Sequence, residues 1–261
     1  MRLLALVGVV MTVATVATVA RGEIRTKVVE YKQGDSTLEG FLAWDDAVAG
    51  KRPGVLVVHQ WMGLTDYERM RAQQLAQLGY VAFAVDVYGK GVHPKNAGEA
   101  GSLAGKYKGD RALLRSRVTA GLDALRANEM VDAKKIAAIG YCFGGTTVLE
   151  LARTGADVAG VVSFHGGLDA PDPADVKAIK ARVLVLHGAD DPFNQPKDVA
   201  AFQQEMRSGG VDWQMVYYGG AVHSFTQKEA GNDASKGAAY NAAADRRSWQ
   251  ALKNFLAEVF Q

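Results

Sequence analysis

The 261-residue chain has one cysteine, six prolines and almost no excess of either charge: 30 Lys and Arg stand against 28 Asp and Glu, a formal +2. A single thiol excludes an internal disulfide, and zinc motifs built from several cysteines go with it. The near balance of charge is unlike a nucleic-acid binder, which carries a strongly basic face, so no nucleic-acid partner is expected. With 48% apolar residues, the chain is not a disordered polyelectrolyte either. No Pro/Gly/Ser tract long enough to act as a linker interrupts it, and no internal repeat is visible. The lone thiol, Cys142, is therefore either buried filler or a reagent.

One long uncharged run is present. Residues 3–20 follow Met1-Arg2 without a charge and end at Arg21 and Glu23. Small residues at A-x-A-like spacing near positions 20–22 read as a cleavage site. Residues 1–22 are thus expected to be a signal peptide, and residues 23–261 the folded domain. The competing reading is an uncleaved anchor, since the run is just long enough to span a bilayer. Its weak Ala/Thr/Val hydrophobicity favours cleavage. Arg2 and Arg21 both lie in this segment, leaving 28 basic residues against 28 acidic ones. The expectation is a neutral protein, periplasmic or secreted, with no stable membrane association after cleavage.

Beyond the leader, short β-rich runs alternate with amphipathic stretches. Residues 24–31 and 37–43 alternate like an antiparallel pair, whereas Val55-Leu-Val-Val58 is apolar throughout, as in a strand buried on both faces. Helical spacing is expected over residues 66–78, 103–126, 146–152, 197–206 and about 241–260. Further strands are expected over 80–85, 136–139, 158–164, 183–186 and 213–217. This alternation predicts a single α/β domain, a mostly parallel central sheet flanked by helices on both faces.

In such sheets, chemistry gathers beyond the carboxyl ends of the strands. There lie His59-Gln60, Asp86 with Tyr88 and Lys90, Cys142, His165, Asp190-Asp191 and His223. Gly140-Tyr-Cys142-Phe-Gly144-Gly145 falls between a strand and a helix, the G-x-C-x-G form of a nucleophile elbow. The glycines leave room for a sharp turn, and the helix start would lower the thiol pKa and offer the Phe143 N–H to an oxyanion. His187-Gly-Ala-Asp-Asp191-Pro supplies Asp191 as the orienting acid; Asp190 reads as its turn-forming neighbour, and His187 is expected to bond within the turn. Tyr218-Gly-Gly-Ala-Val-His223-Ser-Phe supplies the base. Nucleophile, acid and histidine follow in α/β-hydrolase order, at gaps of 49 and 32 residues. No histidine falls at a metal-ligand spacing such as H-E-x-x-H, and neither metal nor cofactor is expected. Trp61, Met62 and Phe143 read as pocket walls.

Together the elbow, the H-G-x-x-D-P stretch and the H-S-F segment resemble the dienelactone hydrolase family of Cys-triad α/β-hydrolases. The resemblance implies Cys142 as nucleophile, Asp191 as orienter and His223 as base, with Trp61 and Phe143 N–H groups as the oxyanion hole. It implies an ester or lactone of small size as the substrate, cleaved through an acyl-thioester. A thioesterase or acyltransferase using the same residues, or a non-catalytic binding or redox-responsive protein, are the alternatives. Two positions depart from the family pattern. Gln60 stands where the family has a glutamate near the thiol. Lys90 and Gln227 stand where it has arginines for the substrate carboxylate. With Tyr88, these are the expected substrate-binding residues.

Overall fold

The alternating and the continuously apolar runs both become strands, in different parts of one sheet. In the computed structural model, which describes residues 22–261, β1 (Ile24–Gln33) and β2 (Ser36–Asp45) form an antiparallel hairpin. Its turn uses Gly34 at φ 55°, a left-handed conformation that costs glycine little. The buried strands are β3 (Arg52–Val58), β4 (Val81–Val85), β5 (Val131–Tyr141), β6 (Gly160–Phe164) and β7 (Arg182–Gly188), with β8 (Trp213–Tyr218) at the edge. Sheet order is β1-β2-β4-β3-β5-β6-β7-β8, antiparallel from β1 to β4 and parallel from there on. The expected signal segment falls on residues 1–21 and Gly22, so all but its last residue lies outside the described residues.

Helices cover both faces. α1 (Asp66–Ala76) and α6 (Ala242–Val259) set Ala72, Leu75, Leu252 and Leu256 against Val55, Val57 and Ile139. α3 (Arg111–Arg126), α4 (Phe143–Arg153) and α5 (Pro196–Ser208) set Leu122, Val148 and Phe202 into the cluster holding Leu56, Val58 and Val161 on the other face. The single helix expected over residues 103–126 is two. α2 (Ala97–Gly109) ends before Asp110, whose φ of −117° and ψ of 83° are not helical. Its carboxylate accepts the Leu113 N–H at 2.9 Å and so caps α3. An aspartate that bonds locally to backbone favours a cap over a helix interior.

The sheet positions its chemistry by crowding. A Cβ on Gly140 would meet the Gly144 carbonyl oxygen at 2.0 Å, and one on Gly144 would meet the Val58 oxygen at 2.2 Å. Only glycines let β5 turn into α4 this close to β3. All eleven residues of α4 are buried, and Arg153 near its end is bound by both Glu205 oxygens at 2.8 Å and by Glu150 at 2.9 Å. Gly140→Ala is therefore expected to cost about 3 kcal/mol, the upper end of overpacking. At this chain length that is a fall in Tm of about 6–12 °C. Gly105→Ala, in α2 with nothing within 4 Å of the added carbon, is the control. It is expected to be neutral or stabilising by up to about 1 kcal/mol. Thermal unfolding of the two variants measures the difference.

Candidate active site

The turn between β5 and α4 holds Cys142 at φ 53° and ψ −112°, a region that side-chain-bearing residues rarely occupy. Strain of this kind costs on the order of 1–3 kcal/mol and persists where surroundings over-determine it. Here they do. The Cys142 N–H is shared between the Phe164 carbonyl at 3.0 Å and His165 Nδ1 at 3.2 Å. Because His165 Nδ1 accepts, its Nε2 carries the proton and donates to Thr226 Oγ1 at 2.8 Å. Burial holds His165 neutral, with its pKa well below the ordinary value.

Two loops bring Asp191 and His223 to the sulfur. His223 Nε2 lies 3.0 Å from Cys142 Sγ, and its Nδ1 lies 2.9 Å from Asp191 Oδ2. Asp191 also accepts the Phe193 N–H at 2.9 Å. Asp190, its neighbour, accepts the Gly220 N–H at 2.9 Å and ties the β7 turn to the histidine loop. Burial alone would raise the thiol pKa. The facing His223 and the Phe143 N–H overcome it, with Lys108 adding a smaller pull, and the pKa is lowered. Conversely, burial would discharge His223, but the sulfur and Asp191 push its pKa up to about 10. Asp191 stays ionised, its burial outweighed by the His223 hydrogen bond. Each partner thus supports the charge of the other, the thiol shifted toward thiolate and the imidazole toward imidazolium.

The loop after β3 is pinned from several sides. Glu68, buried in α1, accepts the Gln60 N–H at 3.2 Å and the Thr65 N–H at 2.8 Å. Its pKa is raised by burial. Gln60 Oε1 accepts the Met62 N–H at 2.9 Å, and the Gln60 carbonyl accepts the Gly63 N–H at 3.1 Å. Among the described residues this leaves the Trp61 N–H as the one amide of residues 60–63 with no acceptor.

The cleft has two lobes that share Trp61, Ser224 and Ala238. The smaller, about 390 Å³, is lined by Cys142, Phe143, His223, Thr146, Phe193 and Lys108. The larger, about 570 Å³, is lined by Gln60, Tyr67 and Gln227, with Asp66 and Glu229 as its acidic members. Of the expected substrate contacts, Gln60 and Gln227 thus line the cleft. Lys90 requires correction: it reaches neither lobe. Its ammonium pairs with Glu30 on β1 and lies 3.8 Å from Glu39 on β2. These carboxylates outcompete the cleft for it. Tyr88 lines neither lobe either: it is buried, and its hydroxyl is spent on the Trp61 carbonyl at 2.8 Å. His187 does not bond within its turn, since its Nδ1 has no partner among the described residues. Sequence reasoning missed Lys108, an exposed helix lysine like any other until α2 is set beside the thiol.

A cysteine on a strained strand-to-helix turn, followed in the chain by its acid and its histidine, narrows the comparison to α/β-hydrolases. The family model described as "Dienelactone hydrolase family" matches residues 38–260. The chain belongs to the dienelactone hydrolase family. It is similar to the solved structure named m3DLH, at 43% identity and TM-score 0.89, over 92% of this chain and all of that one. It is similar also to P91, a dienelactone hydrolase-like promiscuous phosphotriesterase from metagenomic libraries, at 45% identity and TM-score 0.88, with the same coverage. A probable 2-oxo-3-(5-oxofuran-2-ylidene)propanoate lactonase of Bradyrhizobium is 30% identical over 68% of this chain and 75% of its own. With the family comes the class of reaction, hydrolysis of an ester or lactone.

Within this dienelactone hydrolase-like site, the charge state of the thiol can be measured. Its pKa is lowered by the facing His223, which shifts the thiol toward thiolate. The rate of iodoacetamide alkylation is expected to rise with pH through a midpoint below the free-thiol value of about 8.5. His223→Ala should move that midpoint upward, because burial is then opposed only by the Phe143 N–H and Lys108. A wild-type midpoint at the free value would contradict the shift toward thiolate.

Proposed function

We propose that the chain hydrolyses a small carboxylic ester or lactone through a Cys142–His223–Asp191 triad and an acyl-thioester. One observation carries the reading: the Sγ–Nε2 separation of 3.0 Å at the strained turn, continued to Asp191 at 2.9 Å. The Cys142 thiolate attacks the carbonyl carbon, and the N–H groups of Phe143 and Trp61 bind the oxyanion. When the tetrahedral intermediate collapses, the C–O bond breaks and the His223 Nε2 proton passes to the leaving alkoxide. A water then gives its proton to His223 and attacks the thioester. Collapse of the second intermediate releases the carboxylic acid and returns the thiolate. Asp191 keeps the imidazole in the tautomer and orientation both half-reactions need.

The test is turnover of p-nitrophenyl acetate and dienelactone, with mass spectrometry for the acyl-enzyme. Similarity to P91 adds a phosphotriester to the panel. Cys142→Ala is expected to lose at least about 10³-fold in kcat, as triad deletions do. Equal rates in wild type and variant would end the triad reading.

The charge of the cleft supports a substrate class. Besides His223, whose charge is paired with the sulfur, Lys108 is the cation lining the smaller lobe, whereas Asp66 and Glu229 belong to the larger one. An ester whose acyl part bears a carboxylate would set that group toward Lys108 and its leaving group toward the larger lobe. Lys108→Ala is then expected to raise KM for such an ester about tenfold, the value of one charged hydrogen bond. KM for the uncharged p-nitrophenyl acetate should stay within about twofold. Equal effects on both esters would remove Lys108 from substrate recognition.

A further inference from the structure

We propose that His59 is a positioning residue for the oxyanion hole, holding and polarising the peptide group whose N–H belongs to Trp61. The inference rests on the hydrolase reading above and adds to it a residue that touches no substrate.

His59 follows β3 and is fully buried. Its Nε2 lies 3.1 Å from the Val87 N–H, a group that can only donate. The ring proton is therefore on Nδ1, which sits 2.6 Å from the Gln60 carbonyl oxygen and donates to it. That carbonyl and the Trp61 N–H are two ends of one planar trans amide, so fixing the C=O direction fixes the N–H direction. The Gly63 N–H adds a second hydrogen bond to the same oxygen at 3.1 Å. Bonds accepted by a carbonyl polarise the amide and strengthen its own N–H as a donor, by about 10–30% each. The neighbouring N–H groups are spent on Glu68, on the Gln60 side chain and on this same oxygen. Of residues 60–63, Trp61 alone has an N–H with no acceptor among the described residues.

The ring also packs against the side chain of the residue that carries the other donor. It stacks on Phe143 at 5.6 Å between centroids with an angle of 20°, and meets the Tyr88 edge at 4.6 Å. The loop carrying one oxyanion N–H and the helix start carrying the other are thereby gauged against a single imidazole. Burial keeps that imidazole neutral, which preserves Nε2 as the acceptor of Val87. Neither ring nitrogen bonds Cys142 Sγ or His223, so removing those two hydrogen bonds while keeping the stack on Phe143 acts on the transition state and leaves the thiolate alone.

Three variants separate this role from a structural one. His59→Phe keeps a ring for the stack and removes both hydrogen bonds. His59→Asn and His59→Gln retain a side-chain N–H donor. We expect His59→Phe to lower kcat on p-nitrophenyl acetate about 10–100-fold, less than outright loss of an oxyanion donor, with KM within about threefold. One of the two amide variants should recover most of the loss. Affinity for a trifluoromethyl ketone, whose thiolate adduct mimics the tetrahedral intermediate, should fall in step with kcat/KM across the series. Alkylation rate and its pH midpoint should stay at the wild-type values. Wild-type kcat in a folded His59→Phe would overturn the proposal, as would a loss of alkylation equal to the loss of turnover. Should the variants fail to fold, ring nitrogen NMR on the wild-type protein decides: a proton on Nε2 of His59 rather than Nδ1 overturns it. A wild-type enzyme with no Cys142-dependent esterase activity would instead bring down the function reading itself.

Discussion

Everything at the site depends on the absence of side chains around one turn. Gly140 and Gly144 approach each other and the end of β3 so closely that β5 must give way to α4 within a single residue. That residue, Cys142, is forced into a left-handed conformation. The sulfur consequently stands clear of the sheet, at the start of a helix whose first N–H points back at it. The low thiol pKa, the access of His223 and the proximity of the β3 loop all follow from that crowding. Were the turn looser, the same three side chains would have no reason to share a line.

The electrostatics are mutually dependent in the same way. Neither Cys142 nor His223 would be charged in so buried a place by itself. Each supplies the counter-charge that its partner's desolvation demands, and Asp191 tips the pair by holding the far side of the imidazole. His165, although only 5.3 Å from His223 between ring centroids, stays neutral because it is fully buried and the charge on His223 disfavours a second cation beside it. Two histidines side by side thus occupy opposite charge states, decided by the counter-charges of Cys142 and Asp191 that face His223.

Much of this was legible in the sequence, and the reasons are physical. A glycine that must be a glycine leaves a mark, so the turn at Cys142 could be read along with the acid and base after β7 and β8. Buried strands are likewise readable, since a run such as 55–58 has no polar face. What stayed hidden were relations between backbone and side chain. Asp110 caps one helix by ending another, a choice that propensity alone leaves open. Lys90 has the right spacing for the cleft, but β1 and β2 place carboxylates that draw it away. Lys108, Glu68 and His59 act through what lies across from them, and spacing along the chain carries no trace of that.

The burial of α4 has a consequence for how such a site can change. A helix enclosed on every side, with Arg153 held by Glu205 and Glu150 at its far end, transmits any altered volume straight to the sulfur. The wall of the cleft is different: Phe193 is 63% exposed, with its ring edge-on to His223, and Trp61 is 37% exposed. New substrate ranges are therefore accessible through the rim at little cost to folding, while the chemistry sits on a part of the molecule that tolerates almost no variation. Divergence in this protein has a direction built into it, from the mouth of the cleft inward.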